Sequence, residues 1–99
     1  MYYDKNTEKV RSEKFYSIGY NSQLSKYVLA DVITWISYFE RIFEITKEEY
    51  DMFGTDELDA IADNLHREGI DSHRFLFSGR IDENTSEQLI LMKKARIME

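Results

Sequence analysis

The pattern of apolar and polar positions predicts strands in the first half of the chain. A run rich in aromatic and β-branched residues at 14–21 predicts a first strand. The apolar stretch 27–45 is compatible with helical spacing, but twelve of its nineteen residues are β-branched or aromatic, which is typical of strands. We therefore predict two strands, at 26–33 and 36–45, and a long bent strand or a helix remains the alternative.

Capping signals predict where the helices begin. At 46–49 the sequence TKEE matches a capping box, in which the Thr46 hydroxyl and the Glu49 side chain each bond the other residue's amide. Thr55 is a favourable N-cap with acids after it, and apolar residues then recur at helical spacing up to Gly69. A second capping box begins at Thr85. The predicted helices cover 47–53, the residues between Thr55 and Gly69, and 85–97.

The remaining segments complete an α+β fold. Residues 73–81 predict a strand with Phe75 and Phe77 on one face. Residues 1–13 are mostly polar and predict a loosely held segment or a short helix. The prediction is one compact domain over 1–99, an antiparallel sheet of about four strands with two or three helices. The aromatic residues expected in its core are Trp35, Phe39, Phe43, Phe75 and Phe77.

Length and composition are those of one globular domain. The chain has 99 residues, of which 42% are apolar and 32% charged. Cysteine is absent, so the sequence offers no disulfide or thiolate metal site. The first residues have no apolar leader, and charges interrupt the longest apolar stretch. We therefore expect a cytoplasmic protein without membrane contact.

Acidic residues concentrate in the middle of the chain. Residues 40–71 contain eleven carboxylates and three basic residues, whereas the rest contains eight acids and ten bases. The formal net charge of −6 therefore comes from this block. Such a field attracts cationic surfaces and repels nucleic acids and anionic lipids. Arg67 is the one base expected near the acids of the second helix, so we predict a negative surface that binds a basic protein.

The sequence contains residue types that are used in catalysis, but they do not have the spacing of a catalytic or metal site. His66 and His73 do not form a metal-binding HxxxH pair, and the sequence has no calcium loop, nucleophile elbow or glycine-rich phosphate loop. Asp59 and Asp63 are placed on one helix face, but no apolar sequence surrounds them to shift a pKa. We predict no catalytic residue, no metal and no cofactor.

We expect the partner-binding surface in two places. One is the junction between the predicted strand at 36–45 and the first helix, and the other is the second helix. Charges would speed association, and a few buried aromatic anchors would supply affinity. The expected interface residues are Tyr38, Glu40, Glu44, Glu48, Glu49, Tyr50, Asp51, Asp56, Glu57, Asp59 and Asp63.

The central run of this chain resembles small bacterial immunity proteins of contact-dependent growth inhibition and related polymorphic toxin systems. The matching features are Trp35, the pair Tyr38 and Phe39, Arg41, and the sequence ITKEEY at 45–50. The resemblance covers about half of the chain. It implies a compact, cytoplasmic, non-enzymatic protein that binds a toxin nuclease, such as a ribonuclease A-like toxin, in a 1:1 complex. These families share no catalytic motif, so no residue role is transferred.

The resemblance and the charge distribution together predict an inhibitor that covers the basic active-site cleft of a toxin nuclease. A small acidic adaptor that docks on a basic protein without blocking an enzyme is the main alternative. A small carboxylate enzyme and a mimic of DNA charge are the others. Residues 72–99 contain five bases and four acids, which disfavours a DNA mimic because such proteins are acidic over an entire face.

Overall fold

The centre of the fold is a five-stranded antiparallel sheet, seen in a computed structural model that describes residues 1–97. The strands follow one another in chain order, so each strand pairs with its sequence neighbours. This confirms the predicted α+β class with one strand more than expected. The strands are β1 (Lys9–Arg11), β2 (Tyr16–Asn21), β3 (Lys26–Thr34), β4 (Tyr38–Ile45) and β5 (Phe75–Ser78).

Three helices cover the sheet within residues 1–97, and each begins at a threonine N-cap whose hydroxyl accepts a hydrogen bond from a backbone amide in the first turn. Two of these caps are complete capping boxes, as the sequence predicts. Among residues 1–97, no helix is long and apolar enough to cross a membrane. The helices are α1 (Lys47–Asp51), α2 (Asp56–Glu68) and α3 (Ser86–Ala95).

The sheet has helices on both faces, which explains the ambiguous stretch at 27–45. In β4, Phe43 packs in the core with α2, whereas the adjacent Ile42 packs on the opposite face with the end of α3. A strand buried on both faces has few polar positions and loses the usual alternation. The two predicted strands are therefore confirmed, and they pair from Thr34 and Tyr38 at the hairpin tip to Tyr27 and Ile45.

The N-terminal residues correct the prediction of a loosely held segment. Residues 9–11 form an edge strand on β2, and Tyr3 is buried against the face of the sheet that α3 covers. The Asp4 amide donates to the Tyr20 carbonyl at 2.7 Å, and the Asn21 side chain donates to the Tyr2 carbonyl at 3.0 Å. The sequence did not predict this strand because few of its residues face a core and its composition is therefore polar.

The prediction that Phe75 and Phe77 share one face of the strand is wrong because β5 contains a β-bulge. Phe77 pairs with Ile42, but Phe75 pairs with Phe43, so one extra residue of β5 lies between these pairs. The extra residue rotates the strand by one position, and the two phenylalanines face opposite sides of the sheet. Phe75 thus packs with α2 and Phe77 packs on the face that α3 covers.

Trp35 corrects the predicted aromatic core. It lies at the tip of the β3–β4 hairpin, where 64% of its surface is exposed. Phe39 is only partly buried, whereas Phe43, Phe75 and Phe77 lie in the core as expected. The sequence alone does not show how far this hairpin extends beyond the helices that cover the sheet.

Candidate functional site

Seven exposed carboxylates lie on the helical layer formed by α1, α2 and the 3₁₀ turn at Gly69–Asp71, and we call them the acidic helix surface. Asp51 pairs with Lys47 at 2.8 Å and Asp63 lies 3.7 Å from Arg67. Within residues 1–97, the other five form no ion pair. The acidic helix surface consists of Glu48, Asp51, Asp56, Glu57, Asp63, Glu68 and Asp71.

Glu49 belongs to the predicted interface, but its carboxylate is bound within the chain. One oxygen accepts from the Thr46 amide at 2.8 Å and from the Arg74 guanidinium at 2.7 Å. Burial alone would raise the pKa of Glu49, but the hydrogen bonds from Arg74 and Thr46 lower it below its usual value. Glu49 therefore fixes α1 against the end of the sheet where β5 begins.

Asp59 is likewise held within the fold, through a contact that corrects the expectation that Arg67 is the one nearby base. The Arg11 guanidinium binds both carboxylate oxygens of Asp59, at 3.2 and 2.9 Å, and the Tyr16 hydroxyl donates to it at 2.6 Å. The hydrogen bonds from Arg11 and then Tyr16 hold the pKa of Asp59 at about 2. This cluster attaches α2 to β1 and β2.

The two predicted tyrosine anchors lie in different environments. The Tyr50 hydroxyl donates to the Thr7 carbonyl at 2.5 Å, and its ring contacts Tyr27 with 4.9 Å between centroids. The Lys9 ammonium lies 4.2 Å from the centre of the Tyr50 ring. Tyr50 therefore holds the N-terminal segment, whereas Tyr38 is 79% exposed at the hairpin and is accessible to a partner.

Glu40 and Glu44 do not join the acidic helix surface, which corrects the expectation of a single negative patch. Side chains in β4 alternate between the faces, and these two share a face with Ile42, opposite α1 and α2. Glu44 pairs with Lys26 at 2.9 Å. Glu40 lies beside Tyr38 in a separate open pocket on that face.

The hairpin tip is an exposed apolar surface that the charge pattern does not reveal. Ile36 is 92% exposed and lies between Trp35 and Tyr38 in the chain. The Arg80 guanidinium lies 5.8 Å from the centre of the Trp35 ring, within the range of a cation–π contact. Contiguous exposed apolar side chains are typical of protein interfaces. The absence of Gly, Asn or Asp at 35–37 is the one sequence signal that this turn is unusual.

An open cleft of about 800 Å³ lies beside α2, where the helix faces the start of β2 and the end of β3. His66 Nδ1 lies 2.8 Å from the carboxylate of the buried Asp31, and Asp59 and Asp63 also line the cleft. Burial raises the pKa of Asp31, and the hydrogen bond between Asp31 and His66 opposes this shift. Within the described part of the chain, no three His, Cys, Asp or Glu side chains are placed to hold a metal.

Comparison with known protein families, with curated proteins and with solved structures finds no significant match for this chain. The candidate interface therefore rests on the geometry and charge of its own residues.

Proposed function

We propose that this protein is a cytoplasmic, non-enzymatic inhibitor that binds and neutralises a toxin nuclease, with the acidic helix surface placed over the basic active-site cleft of that enzyme. One observation carries the proposal. Five exposed carboxylates on one helical layer form no ion pair within residues 1–97: Glu48, Asp56, Glu57, Glu68 and Asp71.

The proposed mechanism is electrostatic replacement of the substrate. The cleft of a nuclease must be cationic because it holds the phosphates of its substrate. Carboxylates placed at the positions of those phosphates would occupy the cleft and exclude RNA. Opposite charges also steer the two proteins together, which raises the association rate most strongly at low salt.

Affinity in such a complex would come from anchors that become buried, since exposed charge pairs contribute little free energy. The hairpin tip provides the required side-chain types in Trp35, Ile36 and Tyr38, all largely exposed. The acidic helix surface and the hairpin tip therefore have separate roles in this proposal, steering and anchoring.

The first experiment identifies the partner and tests inhibition. The tagged protein is purified from its native host, and the bound protein is identified and produced separately. We expect a basic nuclease domain whose RNA cleavage is abolished at a 1:1 ratio. A bound protein that is not a nuclease, or a nuclease that stays fully active at this ratio, would refute the inhibitor function.

The second experiment tests the acidic helix surface with a matched pair of variants. Glu57 and Glu87 are exposed and occupy the same position, second in the helix, in α2 and α3. Glu57→Lys and Glu87→Lys change the net charge equally and lose the same favourable helix-dipole interaction, of about 0.3–1 kcal/mol. We expect only Glu57→Lys to slow association with the nuclease, by about tenfold at roughly 50 mM salt, with a smaller effect at about 500 mM.

Equal association rates for the two variants would show that the partner does not approach the acidic helix surface. Thermal unfolding of both variants verifies that any difference in association does not come from a difference in folding.

A further inference from the structure

A second binding feature lies on the other side of the sheet, beside the first residues of β4. It is an open pocket of about 500 Å³, which we call the Glu40 pocket. Tyr38 and Glu40 are two residues apart on the same face of β4, and Val32 pairs with Glu40 across the hairpin. The pocket is lined by Tyr2, Val32, Tyr38, Phe39, Glu40 and Gly79.

The walls of the Glu40 pocket are held in place by the fold. The Tyr2 ring contacts Phe77 edge-on with 4.9 Å between centroids, and Phe77 is fully buried. The Gly79 amide donates to the Glu40 carbonyl at 2.8 Å, which extends the pairing of β4 beyond β5. Because Gly79 has no side chain, nothing from this position fills the pocket. The pocket is therefore present before any ligand enters.

The Glu40 carboxylate has no partner within the part of the chain that the structure describes. No hydrogen bond or ion pair reaches its side-chain oxygens, whereas Glu44, on the same face of β4, pairs with Lys26 at 2.9 Å. Burial raises the pKa of Glu40, Glu8 adds to this shift, and the amino group of Met1 opposes it. A half-buried carboxylate without a partner is unfavourable by itself and becomes favourable when a cation binds it.

We propose that the Glu40 pocket binds the side chain of an arginine from a segment of the partner protein that reaches past the hairpin tip to this side of the sheet. Glu40 would accept hydrogen bonds from the guanidinium, whose flat face would stack on a tyrosine ring. Val32, which pairs with Glu40 across the hairpin, would contact the apolar part of the arginine side chain. The proposal rests on the proposed function only for the identity of the partner, because the ligand chemistry follows from Glu40 and the aromatic walls.

The test uses small probes and the whole protein. Two probes are titrated while backbone amide signals are followed by NMR: N-acetyl-argininamide, and its neutral citrulline analogue of nearly the same shape. We expect saturable shifts at the amides of Tyr2, Glu40 and Gly79 with the arginine probe and none with the citrulline probe. No saturable shift through about 50 mM, well above a millimolar Kd, would overturn the proposal.

Two variants assign the binding to Glu40. Glu40→Gln keeps the shape but removes the charge, so we expect binding of the arginine probe to weaken at least about tenfold. Glu44→Gln is the matched control on the same strand face and should bind normally. Unchanged binding by Glu40→Gln, or equal weakening by both variants, would overturn the proposal.

A measurement of thermal stability shows whether weaker binding by Glu40→Gln comes from a folding defect. Glu40→Gln removes a half-buried charge that forms no hydrogen bond or ion pair within the described residues and feels the Met1 amino group only at a distance, so its thermal midpoint should stay close to that of the parent protein. A large drop in this midpoint would show that Glu40 forms a direct ion pair within the chain and would overturn the proposal.

The test of the Glu40 pocket can succeed or fail independently of the test of the proposed function. The probe titration needs no nuclease, and the Glu40 pocket and the acidic helix surface lie on opposite sides of the sheet. Arginine-probe binding that is lost in Glu40→Gln would support the pocket even if Glu57→Lys left association with the nuclease unchanged.

Discussion

Gly19, in β2, is the position at which one added methyl group should disturb the fold most selectively. A β-carbon at this position would lie 2.5 Å from Cγ and 2.7 Å from Cβ of Tyr3, far closer than van der Waals contact allows. Tyr3 is 6% exposed, and its hydroxyl donates to Glu8 at 2.6 Å and lies 2.9 Å from the Ser17 hydroxyl. Gly19→Ala must therefore displace the Tyr3 ring and, with it, the N-terminal segment.

The size of the effect can be bounded from this geometry. Overpacking of a well-filled core costs about 1–3 kcal/mol. Complete loss of a buried aromatic side chain costs about 3–5 kcal/mol, which is the limit if Tyr3 leaves its site altogether. We expect Gly19→Ala to lower the free energy of unfolding by about 1–5 kcal/mol, a large part of the roughly 5–15 kcal/mol of a small domain. Urea unfolding measures this change.

A double-mutant cycle tests the mechanism. In a Tyr3→Gly background both the ring and the β-carbon of residue 3 are absent, so a β-carbon at position 19 meets neither of them. Gly19 has an ordinary backbone conformation, and alanine is favoured over glycine inside a strand by about 0.5–1 kcal/mol. We therefore expect Gly19→Ala to become neutral or stabilising when Tyr3 is absent. An equal loss of stability in both backgrounds would refute the proposed clash with Tyr3.

Two further predictions concern the attachment of α2 and the bulge in β5. Hydrogen bonds from Arg11 and Tyr16 lower the pKa of Asp59 from 3.8 to about 2, so its ionised form stabilises the fold above pH 3.8 and this stabilisation is lost as the pH falls through about 2. Asp59→Asn should therefore be less stable than the parent protein in urea at pH 7, with a deficit that shrinks between pH 3.8 and about 2; a constant deficit would contradict this linkage. Phe75→Ala and Phe77→Ala should each cost about 3–5 kcal/mol, but hydrogen exchange should increase first in α2 for Phe75→Ala and first in α3 for Phe77→Ala. Faster exchange in the same helix for both variants would contradict their placement on opposite faces.

The elements that the sequence predicted correctly are those whose stabilising contacts are local. The hydroxyl and carboxylate of the capping box at Thr46 and Glu49 bond amides three residues apart. The apolar spacing of α2 and the β-branched, aromatic composition of β3 and β4 are also properties of short windows. Such signals can be recognised without knowing what the segment packs against.

The elements that the sequence did not predict depend on contacts between distant segments. The polar strand β1 is recognised by its pairing with β2. The different facing of Phe75 and Phe77 follows from a bulge opposite β4, and the exposure of Trp35 depends on where the covering helices end. None of these features leaves a periodic signal in its own segment, which is why composition predicted them incorrectly.

Which carboxylates are available to a partner was decided by tertiary structure alone. A count of charges treats all acids in 40–71 alike. In the fold, however, Asp59 pairs with Arg11, which is 48 residues away in the sequence, and Glu49 pairs with Arg74, which is 25 residues away. Both acids thereby became part of the fold, and the sheet separated Glu40 from the acidic helix surface.

The sequence by itself determined the α+β class, the three helix starts and the strongly negative middle of the chain, because propensity, capping and formal charge act over a few residues. Tertiary structure decided which charges remain exposed and which side chains form one pocket. The Glu40 pocket joins residues from the N-terminus, the β3–β4 hairpin and the end of β5. Only the packing of the whole chain brings these segments together, since no local interaction links them.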